Sequence, residues 1–198
     1  GRVSGSYRMT DPRFAIGIDL GTTNSSLAYL PLIGEGESEI LAIPQWQTLT
    51  TTSDAPILPS FLYLPDAVTA SRLASGESSW IVGLLARNQA GSSPGQVAQS
   101  AKSWLGHHSA DREAPFLPWG SEALTPEQKI SPLKASGLIL NHLKNAWDLK
   151  FGGAGEDYRF DAQRITITVP ASFDAAAQKL TLRAAQMAEI GRASCRER

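Results

Sequence analysis

Hydrophobic positions alternate along several short segments of the chain and recur at helical spacing along others, so the pattern predicts a mixed α/β fold. Alternation and β-branched residues predict strands at residues 14–20, 25–30, 40–47, 61–64, 79–82 and 165–169. The last segment is five β-branched residues in succession, which makes it the strongest strand prediction.

Helices are predicted where apolar residues recur three or four positions apart, at residues 84–89, 97–105, 132–151 and 175–188. The two longer helices have start signals, Ser131 followed by Pro132 and, further on, Asp174. The pair Gly152-Gly153 is expected to end the first of these two. Their predicted buried faces are Leu133, Leu140, Leu143 and Trp147 in one helix, and Ala177, Leu180, Ala184 and Met187 in the other.

Composition excludes some classes of function. The chain has 18 basic and 19 acidic residues, so no electrostatic attraction to nucleic acid or to a membrane surface is implied. A single cysteine excludes an internal disulfide framework. No apolar run approaches the length of a membrane span, and these features together predict a cytoplasmic protein.

The segment from Asp19 to Asn24 carries the clearest chemistry. It joins two predicted strands through Gly21 and two threonines. Glycine allows a tight turn that approaches an anion closely, and successive backbone amides then form a nest of donors for phosphate. The carboxylate of Asp19 could hold a hydrated Mg²⁺. The alternative is an ordinary polar hairpin turn.

Four segments of the chain carry recognisable motifs: residues 16–25, 58–63 (LPSFLY), 101–106 (AKSWLG) and 167–173 (ITVPASF). The first resembles the phosphate loop shared by actin, sugar kinases and the heat-shock protein 70 family. Taken together, in this order and at about this spacing, the four segments resemble the heat-shock protein 70 family. The match covers residues 14 to 188 and is loose between the motifs, so the chain resembles a divergent member of bacterial type.

The resemblance implies an α/β fold of the ribonuclease H-like, actin-like ATPase class, of which the chain would hold only the first lobe. An inner subdomain would comprise residues 13–50 and 132–188, and residues 51–131 would form an outer subdomain. Residues 1–12 are expected to be a disordered or non-native lead, with Met9 as a candidate start. Residues 189–198 resemble the translation of a sequencing adapter and are expected to be a non-native tail.

The resemblance also implies roles for individual residues. Asp19 would hold Mg²⁺ through water, and Gly21, Thr22, Thr23 and Asn24 would surround the β- and γ-phosphates of ATP or ADP. Lys102 would point at the γ-phosphate, where a fixed ammonium stabilises charge on the transferring group. The alternative for Lys102 is a solvated helix lysine.

Pro170 matches the family's proline that relays the nucleotide state to the partner domain, and its alternative role is a plain strand terminator. The family pairs this proline with an arginine eight residues later, where this chain has Gln178. The neighbouring Lys179 could replace an arginine only in part, because ammonium and guanidinium differ in geometry. The departure puts interdomain signalling in doubt.

The implied function is the N-terminal half of the nucleotide-binding domain of an ATP-dependent chaperone in protein folding and the stress response. The intact protein would hydrolyse Mg-ATP to control its binding of unfolded polypeptides, with J-domain and nucleotide-exchange co-chaperones as partners. The fragment alone is expected to be inactive, because half of the cleft is missing. Two alternatives stay open: a fragment of a sugar-kinase-like phosphotransferase, and a non-hydrolysing, nucleotide-sensing scaffold.

Overall fold

A computed structural model describes residues 11–73, 80–190 and 193–197. Within these ranges the chain forms eleven strands and five α-helices. The strands are β1 (Phe14–Leu20), β2 (Asn24–Pro31), β3 (Glu39–Ile40), β4 (Ile43–Trp46), β5 (Thr52–Ala55), β6 (Leu58–Pro59), β7 (Phe61–Tyr63), β8 (Ile81–Val82), β9 (Val97–Gln99), β10 (Arg164–Val169) and β11 (Ala193–Glu197). The helices are α1 (Ala67–Arg72), α2 (Leu84–Ser92), α3 (Ala101–Leu105), α4 (Pro132–Phe151) and α5 (Ala175–Met187).

The main sheet has the order β11-β10-β1-β2-β3, and β6 also pairs with β2. The β1–β2 hairpin is antiparallel, whereas β10 pairs parallel to β1 and β11 pairs parallel to β10. Along β1 the buried residues Ile16, Ile18 and Leu20 alternate with partly exposed ones. The alternation predicted from the sequence therefore assigns one face of this sheet to the core.

The long helix α4 packs against the covered face of the main sheet. Ser131 accepts a hydrogen bond from the Lys134 amide at 3.0 Å, which caps the first turn, and all four residues of the predicted apolar stripe are buried. At its far end, the Trp147 ring meets the rings of Phe14 and Tyr29 at 5.2 and 5.3 Å, edge to face. These contacts confirm the predicted face of α4.

Two smaller sheets, β4-β5 and β8-β7-β9, lie in the middle of the chain. The buried side chain of Gln45, on β4, joins this strand to the start of α2. It accepts from the Leu84 amide at 3.0 Å and donates to the Ile57 carbonyl at 3.0 Å. The division into inner and outer subdomains remains a prediction. The predicted strand beginning at Ser79 is observed from Ile81, and Ser79 itself lies outside the described residues.

Some sequence predictions about individual elements were wrong. The predicted helix at 97–105 is a strand, β9, followed by the short α3, because Val97 to Gln99 pair with β7 and Ser100 has a left-handed backbone at φ 60°. The predicted strand at 40–47 is split into β3 and β4 around the buried Leu41, whose amide bonds to Leu27. The prediction that Met187 is buried was also wrong, since it is 51% exposed.

The two ends of the chain were predicted to be non-native. The first ten residues lie outside the described residues. At the other end, Ile190 is buried and β11 continues the main sheet, with Ala193 and Cys195 packed partly against the core. The prediction left residues 189–198 out of the fold. In the structure, by contrast, Ala193 to Glu197 pair along the free edge of β10. The adapter origin of the segment stays a prediction.

In the described ranges, no helix combines the length and the apolar character that crossing a membrane requires.

Candidate phosphate-binding site

The tip of the β1–β2 hairpin is a tight turn that only glycine can form. The strands pair in register up to Leu20 and Ser25, which leaves Gly21 to Thr23 at the turn together with Asn24, the first residue of β2. A Cβ built on Gly21 would lie 2.0 Å from the Asn24 carbonyl oxygen, so no side chain fits there. Thr22, Thr23 and Asn24 are exposed, and the turn therefore presents a short run of backbone to solvent.

Hydrogen bonds made by two buried serines hold this turn in its conformation. The Ser60 hydroxyl donates to the Gly21 carbonyl at 2.8 Å, and the Ser60 amide donates to the Thr23 carbonyl at 2.8 Å. The Ser25 hydroxyl lies 2.8 Å from the Ser60 hydroxyl and supplies the hydrogen, because the hydrogen of Ser60 is already used. Ser25 and Ser60 are 1% and 2% exposed, so these bonds are made away from water and set the shape of the turn.

Helix α3 lies beside the hairpin tip. The Ser103 hydroxyl is 3.4 Å from the Thr22 hydroxyl oxygen, which brings together two segments 81 residues apart in sequence. Lys102, the preceding residue, is only 6% exposed. The alternative for this position was a helix lysine exposed to solvent, and the burial of the Lys102 side chain does not fit that alternative.

Asp19 occupies the penultimate position of β1, between Ser26 on β2 and Thr168 on β10 in the strand register. It is partly exposed and lines an open depression with Gly17, Ser26 and Thr168. Among the described residues no group of three or more acidic, histidine or cysteine side chains could hold a metal ion. One carboxylate fits Mg²⁺ only if phosphate oxygens and waters complete its shell, as this ion prefers.

Pro170 directly follows β10. Because β1 and β10 are parallel, their carboxyl ends share one edge of the sheet, and Pro170 lies at the same edge as the hairpin tip. The Pro170 carbonyl accepts from the Phe173 amide at 3.0 Å, which closes a turn ahead of α5. The Gln178 side-chain amide donates to the Phe173 carbonyl, 3.4 Å away and ahead of α5.

Sequence reasoning missed the residues that support the hairpin tip and α3. Ser60 lies in the segment LPSFLY, which was recognised as a motif without a role for its serine. A small hydroxyl residue between apolar neighbours is the signal that could have indicated it, because such a residue is buried only when it has a partner. The contact of Ser103 with Thr22 has no local signal, since it depends on how distant segments pack.

The chain is similar to bacterial chaperones. It is 33% identical over 188 residues to the chaperone protein HscA homolog of Photobacterium profundum, covering 90% of this chain and 26% of that protein. It is 31% identical to the HscA homolog of Actinobacillus pleuropneumoniae serotype 5b and 33% identical to the chaperone protein HscA of Edwardsiella ictaluri, with the same coverage. No family model matches the chain.

These similarities show that the chain belongs to the heat-shock protein 70 family and matches part of its members' length. The chain spans about a quarter of the length of the curated relatives that it matches. The match confirms the family that the four sequence motifs indicated. The structure separately confirms the predicted mixed α/β fold.

Proposed function

We propose that this chain is the N-terminal half of an actin-like nucleotide-binding domain, and that the β1–β2 hairpin binds the phosphates of ATP or ADP. The observation that carries the proposal is the position of α3, whose Ser103 contacts Thr22 at the hairpin tip while Lys102 is buried. A main sheet that begins with an antiparallel hairpin and continues in parallel strands supports the first lobe of this fold class. Inner and outer subdomains are proposed at residues 13–50 with 132–188, and at 51–131.

Each residue of the site has a proposed task. The amides of Thr22, Thr23 and Asn24 bind phosphate oxygens, and the absent Cβ of Gly21 allows the tight turn that aims them. Asp19 holds the waters of a magnesium ion, which neutralises phosphate charge when it is bound. The Lys102 ammonium stabilises negative charge on the transferring γ-phosphoryl group.

In the intact protein these residues would serve an ATP-hydrolysing chaperone of the cytoplasm. Hydrolysis would control the binding of unfolded polypeptides, and J-domain and nucleotide-exchange co-chaperones would regulate the cycle. Pro170 would report the nucleotide state from the edge of the sheet that carries the hairpin tip. The similarity to proteins named as chaperones supports this assignment.

A second candidate is a non-hydrolysing, nucleotide-sensing scaffold. The observation in its favour is Gln178, which stands where the family resemblance leads us to expect an arginine and whose side chain donates to the Phe173 carbonyl. Such a protein would bind ATP without turnover. A sugar-kinase-like activity has no observation of its own here, and acceleration of ATP consumption by a sugar would support it.

The test is ATP turnover by the intact gene product, purified with and without the substitution Lys102→Ala. We expect steady hydrolysis in the wild type, stimulated by unfolded peptide, and a loss of at least about a hundredfold in the variant. Lys134→Ala is the control, because Lys134 is exposed on α4 and its substitution removes the same charge. ATP binding without hydrolysis in the wild type would favour the scaffold instead.

A further inference from the structure

Helix α3 is too short to fix its own position. It has five residues, and isolated helices of this length are unstable in water. Its first turn has no side-chain cap, and Ser100 ahead of it has a left-handed backbone at φ 60°. The location of Lys102 therefore depends on tertiary contacts, which are the burial of Ala101 and Leu105 in the main core and the contacts at the far end of the helix.

That other end is packed against the segment after Pro170. Gly106, which follows α3, lies against the ring of Phe173, and a Cβ built on Gly106 would be 2.9 Å from Cε1 and 3.3 Å from Cδ1 of that ring. Phe173 is 7% exposed and belongs to the main hydrophobic core. Its amide bonds to the Pro170 carbonyl at 3.0 Å, so the ring is tied to the turn that Pro170 begins.

Polar contacts hold the same end of α3. Nη1 of Arg112 donates to the Leu105 carbonyl at 3.0 Å, and the Arg112 carbonyl accepts from the Leu133 amide at 3.1 Å. Further on, His108 Nδ1 lies 3.3 Å from an Asp174 carboxylate oxygen. Glu113 pairs with Arg183 of α5. The residues after α3 thus contact the start of α4, the start of α5 and Arg183 further along α5.

We propose that Phe173 is a positioning residue for Lys102, acting through the Phe173–Gly106 contact that ties the end of α3 to the turn beginning at Pro170. The inference rests on the proposed function of this site. Movement of the turn shifts the ring, the ring moves the end of α3, and α3 carries Lys102 and Ser103 toward or away from the hairpin tip.

The first experiment uses the 198-residue chain and needs no nucleotide. The chain is labelled with 5-fluorotryptophan, and the Trp104 resonance, assigned by Trp104→Phe, reports the position of α3. We expect Gly106→Ala to shift this resonance and Phe173→Leu in the same chain to reverse most of the shift. Gly91→Ala is the matched control, because a Cβ there meets nothing within 4 Å. Phe173→Leu alone, which cannot overpack, should broaden the resonance.

The second experiment uses the intact gene product. We expect Gly106→Ala to lower kcat by at least about tenfold while KM for ATP changes less than about twofold, and Phe173→Leu to restore most of the loss. A purely structural role would lower the melting temperature and leave kcat per folded molecule unchanged, which would overturn the inference. So would independent effects of the two substitutions. If the wild type neither binds nor hydrolyses ATP, the proposed function fails, and the fluorine experiment still decides whether Phe173 positions α3.

Discussion

At the residue scale, the β1–β2 turn tolerates no side chain at position 21. In Gly21→Ala the new methyl carbon would sit 2.0 Å from the Asn24 backbone oxygen, which no rotation can relieve. The turn would have to open, and the bonds from Ser60 to the Gly21 and Thr23 carbonyls would be lost or lengthened. We expect a loss of about 1–3 kcal/mol in the free energy of unfolding, measured by urea denaturation.

The matched control for this substitution is Gly17→Ala, four residues earlier on β1. A Cβ at Gly17 meets nothing within 4 Å, so this variant should be as stable as the wild type or slightly more stable. Equal stabilities for the two alanine variants would show that the turn is not constrained as described.

At the residue scale, His142 makes the free energy of unfolding depend on pH. Its Nε2 lies 2.8 Å from the Pro44 carbonyl oxygen, to which it donates, and burial lowers its pKa below the ordinary 6.5. The folded chain therefore binds a proton at His142 less readily than the unfolded chain does. The stability contribution of the neutral ring is complete above pH 6.5 and is lost as the pH falls below that value, by at most about 1.4 kcal/mol per pH unit.

We expect His142→Gln to reduce the difference in unfolding free energy between about pH 7.5 and about pH 5.5, on either side of the ordinary histidine pKa, measured by urea denaturation at both values. His107→Gln serves as the control, since His107 is exposed. An unchanged pH dependence in His142→Gln would mean that the acid sensitivity of the chain comes from other groups.

At the scale of elements, the sequence and the structure differ most over β11. The sequence indicates a non-native tail, whereas the structure has a strand paired with β10. This strand contributes Cys195, the single cysteine of the chain, partly buried against the core. Burial raises the pKa of this thiol above its ordinary value. Because the thiolate is the reactive form, a docked β11 should slow modification of Cys195 by a disulfide reagent at about pH 8, by at least about tenfold relative to the urea-unfolded chain.

Equal labelling rates in the folded and unfolded chains would mean that β11 does not pair with β10 in solution. That outcome would agree with the adapter-derived tail expected from the sequence. Sequencing the source locus past Ala188 settles its origin separately.

Elements with a long or uniform pattern were predictable from the sequence, and elements defined by their partners were not. Helix α4 has a cap, a start signal and a stripe that repeats over twenty residues, and β10 is an unbroken β-branched run. By contrast, β9 has three residues that pair only because β7 lies beside them, and α3 follows after one left-handed serine. The approach of α3 to the hairpin tip likewise depends on tertiary packing, which no local pattern encodes.

At the scale of the whole molecule, the described residues place an open depression on the exposed face of the main sheet, beside the hairpin tip. Because strand residues alternate between faces, Gly17, Asp19 and Ser26 lie on the face of the main sheet away from its buried residues. These small and polar residues line an open depression beside the hairpin. A nucleotide held there would contact this chain along one side only.

This geometry underlies the prediction that residues 1–198 alone hydrolyse no ATP. Phosphoryl transfer depends on positioning and on electrostatic stabilisation from groups arranged around the phosphates, and a water held on one side is not aligned for attack. We expect phosphate release from the purified chain to equal that of its Lys102→Ala variant, in a coupled assay with Mg-ATP. Turnover by the chain that Lys102→Ala abolishes would contradict the prediction, because the described half of the site would then suffice for chemistry. Turnover equal in both proteins would identify a contaminating ATPase, since the buried Lys102 is the one cation that the proposed mechanism requires of this chain.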